Sequence, residues 1–373
     1  MTAPRIEIDL SKIRQNTRCL VGHLGSRGIT VTGVTKAVCG NPDIAQAMLE
    51  GGVIGIADAR LRNVVRMRKA GIGCPITMIR TPMQSEVGQI IQCCEASYNT
   101  QMETITELAA AARRRGAVHN VVLVVEMGDM RDGLMPEDLE AFASQVAKLP
   151  GVALKGIAAN FACLGGIAPG AEAMGMLSRM ASEVEGSCGP FLELVSGGSS
   201  VNLPWALSAG TPGRINNLRL GEAILLGVEP LSGKPIEGLH TDAFALVAEV
   251  VETKPKPGSM PSSTFGSALK ASGLVQDDDR RIRSILAIGQ QDTDAGGLRF
   301  PSGVDFLGAT SDHTVVDTTN SSFTVGNEMK LRMNYSALMR AMSAPDVAKI
   351  IFSEETLKGD VGIRLPRPRA ALV

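Results

Sequence analysis

No apolar run among the 373 residues reaches about 18, the length a helix needs to cross a bilayer, so no membrane span is expected. No Cys-x-x-Cys pair occurs among the seven cysteines, and their number is odd. That argues against a zinc site or a disulfide framework, and for reduced, buried thiols in a cytosol. Charge of one sign is also missing. The 37 Lys and Arg offset 38 Asp and Glu, leaving a formal net of −1 and no long-range field toward nucleic acid. The densest basic run, 113–115, closes an alanine-rich helical stretch, where cations complement the helix dipole. Residues 1–9 lack a charged segment followed by a long apolar one, so no signal peptide is expected. No internal repeat appears beyond an alternation of short β-type and helical segments.

What is present suits a large soluble core: 44% of residues are apolar and 20% charged. After a lead-in strand at 5–10 and a helix opening at Ser11, eight strand candidates follow, at 30–35, 53–57, 75–79, 96–99, 121–127, 153–161, 192–195 and 218–220. Most are near-continuous apolar runs, as strands buried on both faces require. Helical stretches separate them. Asn41-Pro42 offers an N-cap followed by proline at the first helical position, and another helix opens at Pro136. Eight β/α units predict an α/β fold, a (β/α)8 TIM-type barrel over residues 11–235. From 236 to 373 the pattern changes to a smaller β-rich C-terminal domain, to which the strand at 5–10 is also assignable. Its strand candidates are 244–251, 282–288, 304–307, 313–317 and 329–333. The segment 232–238 marks the boundary, 254–263 reads as a Pro/Ser-rich loop, and 365–373 as a frayed tail.

A barrel of this kind places its chemistry at the C-terminal ends of its strands, and often a phosphate site after strands seven and eight. The loop after the seventh candidate reads Ser196-Gly197-Gly198-Ser199-Ser200, and the eighth ends in Arg219-Leu220-Gly221-Glu222 before a helix. Glycines let backbone N–H groups approach an anion, and hydroxyls with a helix start add donors. Either loop alone is an ordinary tight turn; both at the expected places favour a phosphate cradle. Lys36 ends the first strand after a run of Ile, Thr, Val and Gly. It is either a lysine snorkelling at a strand end or a Schiff-base lysine, which needs a dry position at the barrel mouth.

These segments, in this order, resemble the alanine racemase-like, fold-type III pyridoxal-phosphate enzymes, and within them the ornithine racemase-like branch. The strand bearing Lys36 is similar to the cofactor-lysine strand. The run from Val125 to Gly133, with Arg131, resembles the arginine-bearing loop after strand five. Asn160 falls where alanine racemases carry a histidine stacked under the cofactor ring, and the segment from Asn217 to Gly221 resembles the one whose arginine meets the pyridine nitrogen. Runs 287–294, 308–313 and 333–335 resemble parts of the C-terminal domain. The resemblance covers nearly the whole chain.

It implies a racemase of a free amino acid that uses pyridoxal 5′-phosphate. Lys36 would form the Schiff base and act as one acid/base. Ser199, Ser200, Gly221 and Tyr335 would bind phosphate, Arg219 would face the pyridine nitrogen, and Arg131 would orient a carboxylate or the phenolic oxygen. Each has a plainer reading: Tyr335 a core aromatic at a helix start, Arg219 an ion pair, Arg131 a salt bridge to Asp129 or Asp132. The resemblance also implies a homodimer with shared active sites. Here Phe265 stands where the family's second, tyrosine base would come from the partner subunit. A substitute proton donor is sought among Asp312, His313, Asp292 and Cys39, with Asp312 and His313 placed first. Asp292, Asp294 and Asp312 suit a cationic substrate side chain such as that of ornithine or lysine, or are turn residues. Other readings are a fold-type III decarboxylase, a non-catalytic pyridoxal-phosphate carrier, and a barrel hydrolase or sugar-phosphate binder.

Overall fold

A computed structural model describes residues 2–162, 164, 168–189, 191–208, 210–257 and 280–352. The first strand, β1 (Arg5–Asp9), precedes a closed parallel barrel of eight strands. These are β2 (Thr30–Val34), β3 (Ile56–Asp58), β4 (Ile76–Met78), β5 (Ala96–Asn99), β6 (His119–Val125), β7 (Val152–Ala159), β8 (Leu194–Ser196) and β9 (Asn217–Leu220). Closure comes from β2 against β9, with Thr30 opposite Asn217 and Gly33 opposite Leu220. All eight expected strands are found, most with ends shifted by one to three residues.

Two-sided burial explains the apolar runs. Along β6, Val121, Leu123 and Val125 belong to the core between strands and helices. Their neighbours Val122 and Val124 turn inward and form a small lumen cluster with Tyr98 and Ala158. Local signals set the helix starts. Asn41 accepts N–H bonds from Asp43 and Ile44 ahead of helix Pro42–Glu50. The first helix, Leu10–Gly25, opens one residue before the expected Ser11, because the Asp9 side chain caps the N–H groups of Ser11 and Lys12. At Pro136 a short 3-10 turn comes first, then helix Leu139–Ala147.

The rest of the chain builds a second sheet. Its strands are β10 (Phe244–Pro257), β11 (Arg280–Leu286), β12 (Leu298–Arg299), β13 (Asp305–Ala309), β14 (Thr314–Asp317), β15 (Glu328–Met333) and β16 (Ala348–Phe352). The order is β12-β15-β10-β11-β14-β13, and β1 inserts between β10 and β16. Two expectations need correction. Residues 254–257 continue β10 in register with β11 instead of forming a loop, since alternate backbone groups still pair past the bulge at Val250 and Glu252. The strands β12 and β16 were not anticipated. Residues 258–263 of the expected loop, and the tail at 365–373, lie outside the described residues.

A helix from Tyr335 to Ser343 leaves β15 and lies against the turn Lys36–Val38. The C-terminal sheet thereby reaches the barrel mouth beside Lys36.

Candidate active site

Arg219 projects from β9 into the lumen. It donates to Ser196 Oγ (2.6 Å), to the Ala159 carbonyl (3.0 Å) and to Asn160 Oδ1 (2.9 Å). Its guanidinium carbon sits 5.0 Å from the Tyr98 ring centroid, a cation–π contact across the barrel. The residue is only 5% exposed, yet no carboxylate among the described residues forms an ion pair with it. The ion-pair reading of Arg219 is therefore not what the structure supports. A buried cation held only by neutral acceptors is expensive for the fold, which marks it as a functional group.

Asn160 connects this arginine to the loop after β6. Its Nδ2 reaches Asp132 Oδ1 at 3.4 Å, and the same oxygen accepts from Arg131 Nε at 2.8 Å. The plainer reading of Arg131 thus holds at least in part, since Asp129 Oδ2 also lies 3.5 Å away. The Glu126 carboxylate folds this loop back by accepting backbone N–H bonds from Gly128, Met130 and Arg131. Gly133 must be glycine: a Cβ there would stand 2.4 Å from the Glu126 nitrogen.

The two glycine-bearing turns lie at the ends of β8 and β9 and are tied together. Gly198 has φ +115°, a conformation glycine tolerates, and Ser199 with Asn202 makes a reciprocal capping box over the turn Ser200–Asn202. The Ala223 N–H donates to Ser200 Oγ at 3.2 Å, tying the turn after β8 to that after β9. Gly221 packs on β2, where a Cβ would meet the Val34 Cβ and carbonyl oxygen at 3.2 Å.

Lys36 opens the short turn after β2, two residues beyond Val34. Its side chain is exposed within the chain, rather than in the dry position expected. The strand end beneath it is fixed by Thr35 Oγ1 donating to Asp58 Oδ2 at 2.8 Å, and burial pushes the Asp58 carboxyl up. Cys39 closes the turn with φ 54°, and burial likewise raises its thiol. Tyr335 is half-buried at the start of its helix, which Asn334 caps through the Ala337 N–H.

Asp312, His313 and Asp292 gather elsewhere, on two loops of the C-terminal sheet zipped by Gln290 N–H to the Thr310 carbonyl (2.9 Å) and Gln291 N–H to the Ser311 carbonyl (3.1 Å). Asp312 accepts from Gln291 Nε2 and Ser311 Oγ, and Asp292 from the Gly289 N–H. His313 is exposed just before β14. Among the described residues, no hydrogen bond or ion pair joins these three to Lys36, Arg219 or the glycine turns. Phe265 lies outside the described residues.

Sequence reading missed three contributors. Tyr98 and Ser196 contact Arg219 from other strands, which no local pattern reveals. Glu222 follows Gly221, half-buried; burial first, then the Glu229 charge, push its carboxyl up to about 7 against the opposing effect of Lys36.

The geometry agrees with comparisons to known proteins. Residues 8–230 match the family described as alanine racemase, N-terminal domain. A lysine racemase from Thermotoga maritima is 36% identical over 356 residues, covering 94% of this chain and 99% of the relative. An ornithine racemase from Acetoanaerobium sticklandii is 33% identical over 351 residues, covering 93% and 99%. Among solved structures, the alanine racemase from Streptomyces coelicolor superimposes with a TM-score of 0.74 at 19% identity over 93% of this chain and 97% of the other, a likeness of fold. With the closed barrel, the family match and both full-length relatives in agreement, the chain belongs to the alanine racemase family, whose cofactor is pyridoxal 5′-phosphate.

Proposed function

We propose that the protein interconverts the L and D forms of a free basic amino acid, ornithine or lysine, with the cofactor held covalently at Lys36 Nζ. The reading includes a homodimer with shared active sites, working in the cytoplasm. The observation that carries it is the full-length likeness to a lysine and an ornithine racemase in a chain that sets a lysine at a barrel strand end. A barrel-only carrier is disfavoured by the C-terminal sheet, which both relatives span in length.

The residues present fit the cofactor. Gly198, Ser199, Ser200 and Gly221 form a turn pair, tied by the Ala223 N–H to Ser200 Oγ, whose hydroxyls and backbone N–H groups would serve an anion. Together with Tyr335 these would hold the phosphate end. Arg219, buried without a carboxylate, would hold the ring-nitrogen end. When bound, the cofactor supplies an electron-withdrawing ring that lowers the barrier to removing the substrate α-proton. Arg219 stays a donor at any ordinary pH, so it would keep the ring nitrogen an acceptor. Asn160 fixes the guanidinium, and the Arg131–Asp132 pair fixes Asn160. Lys36 Nζ takes and returns the proton on one face. Asp312 or His313 of the C-terminal domain serves the other, and the acidic residues there suit a cationic side chain.

The test is chiral chromatography of products from a panel of L-amino acids with the cofactor-loaded enzyme. D-ornithine or D-lysine should form fastest. D-alanine as the only product would overturn the basic-substrate reading, and release of carbon dioxide would point to a decarboxylase.

A further inference from the structure

Between the end of the barrel, the linker after it and the C-terminal sheet lies a cavity of about 320 Å³. Glu222 lines it together with Ser232, Thr241, Arg299, Arg332 and Asn334. The barrel register brings Glu222 to Lys36. Gly33 pairs with Leu220 and Val34 packs on Gly221, so the segments that carry Lys36 and Glu222 leave the barrel at neighbouring strand ends. Glu222 thus joins the strand ends beside Lys36 to a polar cavity that it lines.

We propose that Glu222 is a positioning residue that holds the proton Lys36 exchanges with solvent, and that this exchange runs through the cavity. The idea rests on the reading of Lys36 as the proton-carrying lysine. In the forward step the Lys36 ammonium gives one N–H proton to the Glu222 carboxylate, directly or through a water, leaving a neutral amine and a carboxylic acid. The acid then releases that proton to water in the cavity. The reverse sequence recharges the lysine.

The charged and titratable groups facing Glu222 suit the task. Lys36 comes from the turn after β2 and Glu229 from the linker beyond the barrel. Arg299 of β12 and Arg332 of β15 line the far side, and neither forms an ion pair with Glu222 or any other carboxylate among the described residues. Tyr335 follows Asn334 at the cavity edge. Burial and Glu229 raise the carboxyl and Lys36 lowers it, so it exchanges protons near neutrality. Asp58 is also close to the strand end, but Thr35, Asn63 and the Arg60 N–H occupy its oxygens. The plainer role for Glu222, an acid in the first turn of the helix Glu222–Leu226, predicts a stability effect alone.

The test uses Glu222→Gln, which keeps the shape. In the cofactor-free protein, amines are pulse-labelled with acetic anhydride, and the Lys36 peptide is quantified against the Lys155 peptide by mass spectrometry. Above neutrality the wild-type carboxylate retains the ammonium, so Lys36 should label about threefold to tenfold faster in the variant. Near about pH 6, where Glu222 is protonated, the two proteins should converge. Glu229→Gln should move that convergence to lower pH within the wild-type background, because a less raised Glu222 would hold its charge, and with it the suppression of labelling, down to lower pH. In the loaded enzyme, Glu222→Gln should lose a limb of the kcat–pH profile near neutrality and incorporate less solvent deuterium per turnover. A labelling ratio that is constant with pH, or an unchanged kcat–pH profile, would overturn the proposal. Normal Lys36–Glu222 coupling in a protein that racemises nothing would instead sink the proposed function and leave the coupling standing.

Discussion

Replacing Glu222 with glutamine should stabilise the cofactor-free protein above neutral pH and leave it nearly unchanged in acid. Folding raises this carboxyl from 4.5 to about 7, chiefly by burial. A group whose pKa rises on folding contributes its full share of stability below the unfolded value and loses that share as pH climbs through the folded value. Stability from Glu222 should therefore decline between about pH 4.5 and about pH 7 and stay low above. Each pKa unit corresponds to about 1.4 kcal/mol, so a rise from 4.5 to about 7 amounts to about 3 kcal/mol. Glutamine never ionises and escapes that loss. Urea unfolding of both proteins at about pH 5 and about pH 8 reads the effect as the change in their stability difference, largest in alkali. The reasoning fails if the difference is flat across that range, or if glutamine loses ground as the pH rises.

Lys36→Ala should abolish both turnover and covalent cofactor, and borohydride reduction of the wild type should label the peptide carrying Lys36; a label on any other lysine would contradict the assignment. Asp312→Ala or His313→Ala should slow α-proton exchange in one stereochemical direction by about 10²–10⁴-fold while sparing the other, since Lys36 still serves its own face. If Asp312→Ala, His313→Ala and Asp292→Ala each change both directions by less than about tenfold, the second proton comes from elsewhere. Sedimentation at assay concentration should show a head-to-tail dimer, and a fully active monomer would refute the shared site.

The barrel was readable because a parallel strand buried on both faces leaves an unbroken apolar run, as 121–125 does in β6. Strand ends were less exact where the lead-in is apolar but unpaired in the ladder, as at Val53 ahead of β3. Two strands of the C-terminal sheet escaped notice for physical reasons. β12 has two residues, too short for any period, and β16 owes its pairing to β1 from the other end of the chain. The turns after β8 and β9 were legible from their glycines, and Arg219 from its place at the end of β9. Its partners were not: Tyr98 and Ser196 arrive by barrel closure, and the raised carboxyl of Glu222 arises from burial and the nearby Glu229, against the effect of Lys36. Arg131 shows the converse, a motif residue that the fold ties into local carboxylates.

The placement of β1 has a consequence for biosynthesis. Its residues pair with β16 from Arg5 opposite Ala348 to Asp9 opposite Phe352, so one of the first strands to leave the ribosome completes its ladder with one of the last. At typical translation rates of about 5–20 residues per second, that partner arrives roughly 20 to 70 seconds later. Throughout the wait Ile6 and Ile8, both fully buried in the finished molecule, belong to a strand with an open edge. A nascent chain with that edge exposed is a target for chaperones or for mispairing with its neighbours on the same message, so the yield of folded protein should depend on Arg5–Asp9 more than its short length suggests.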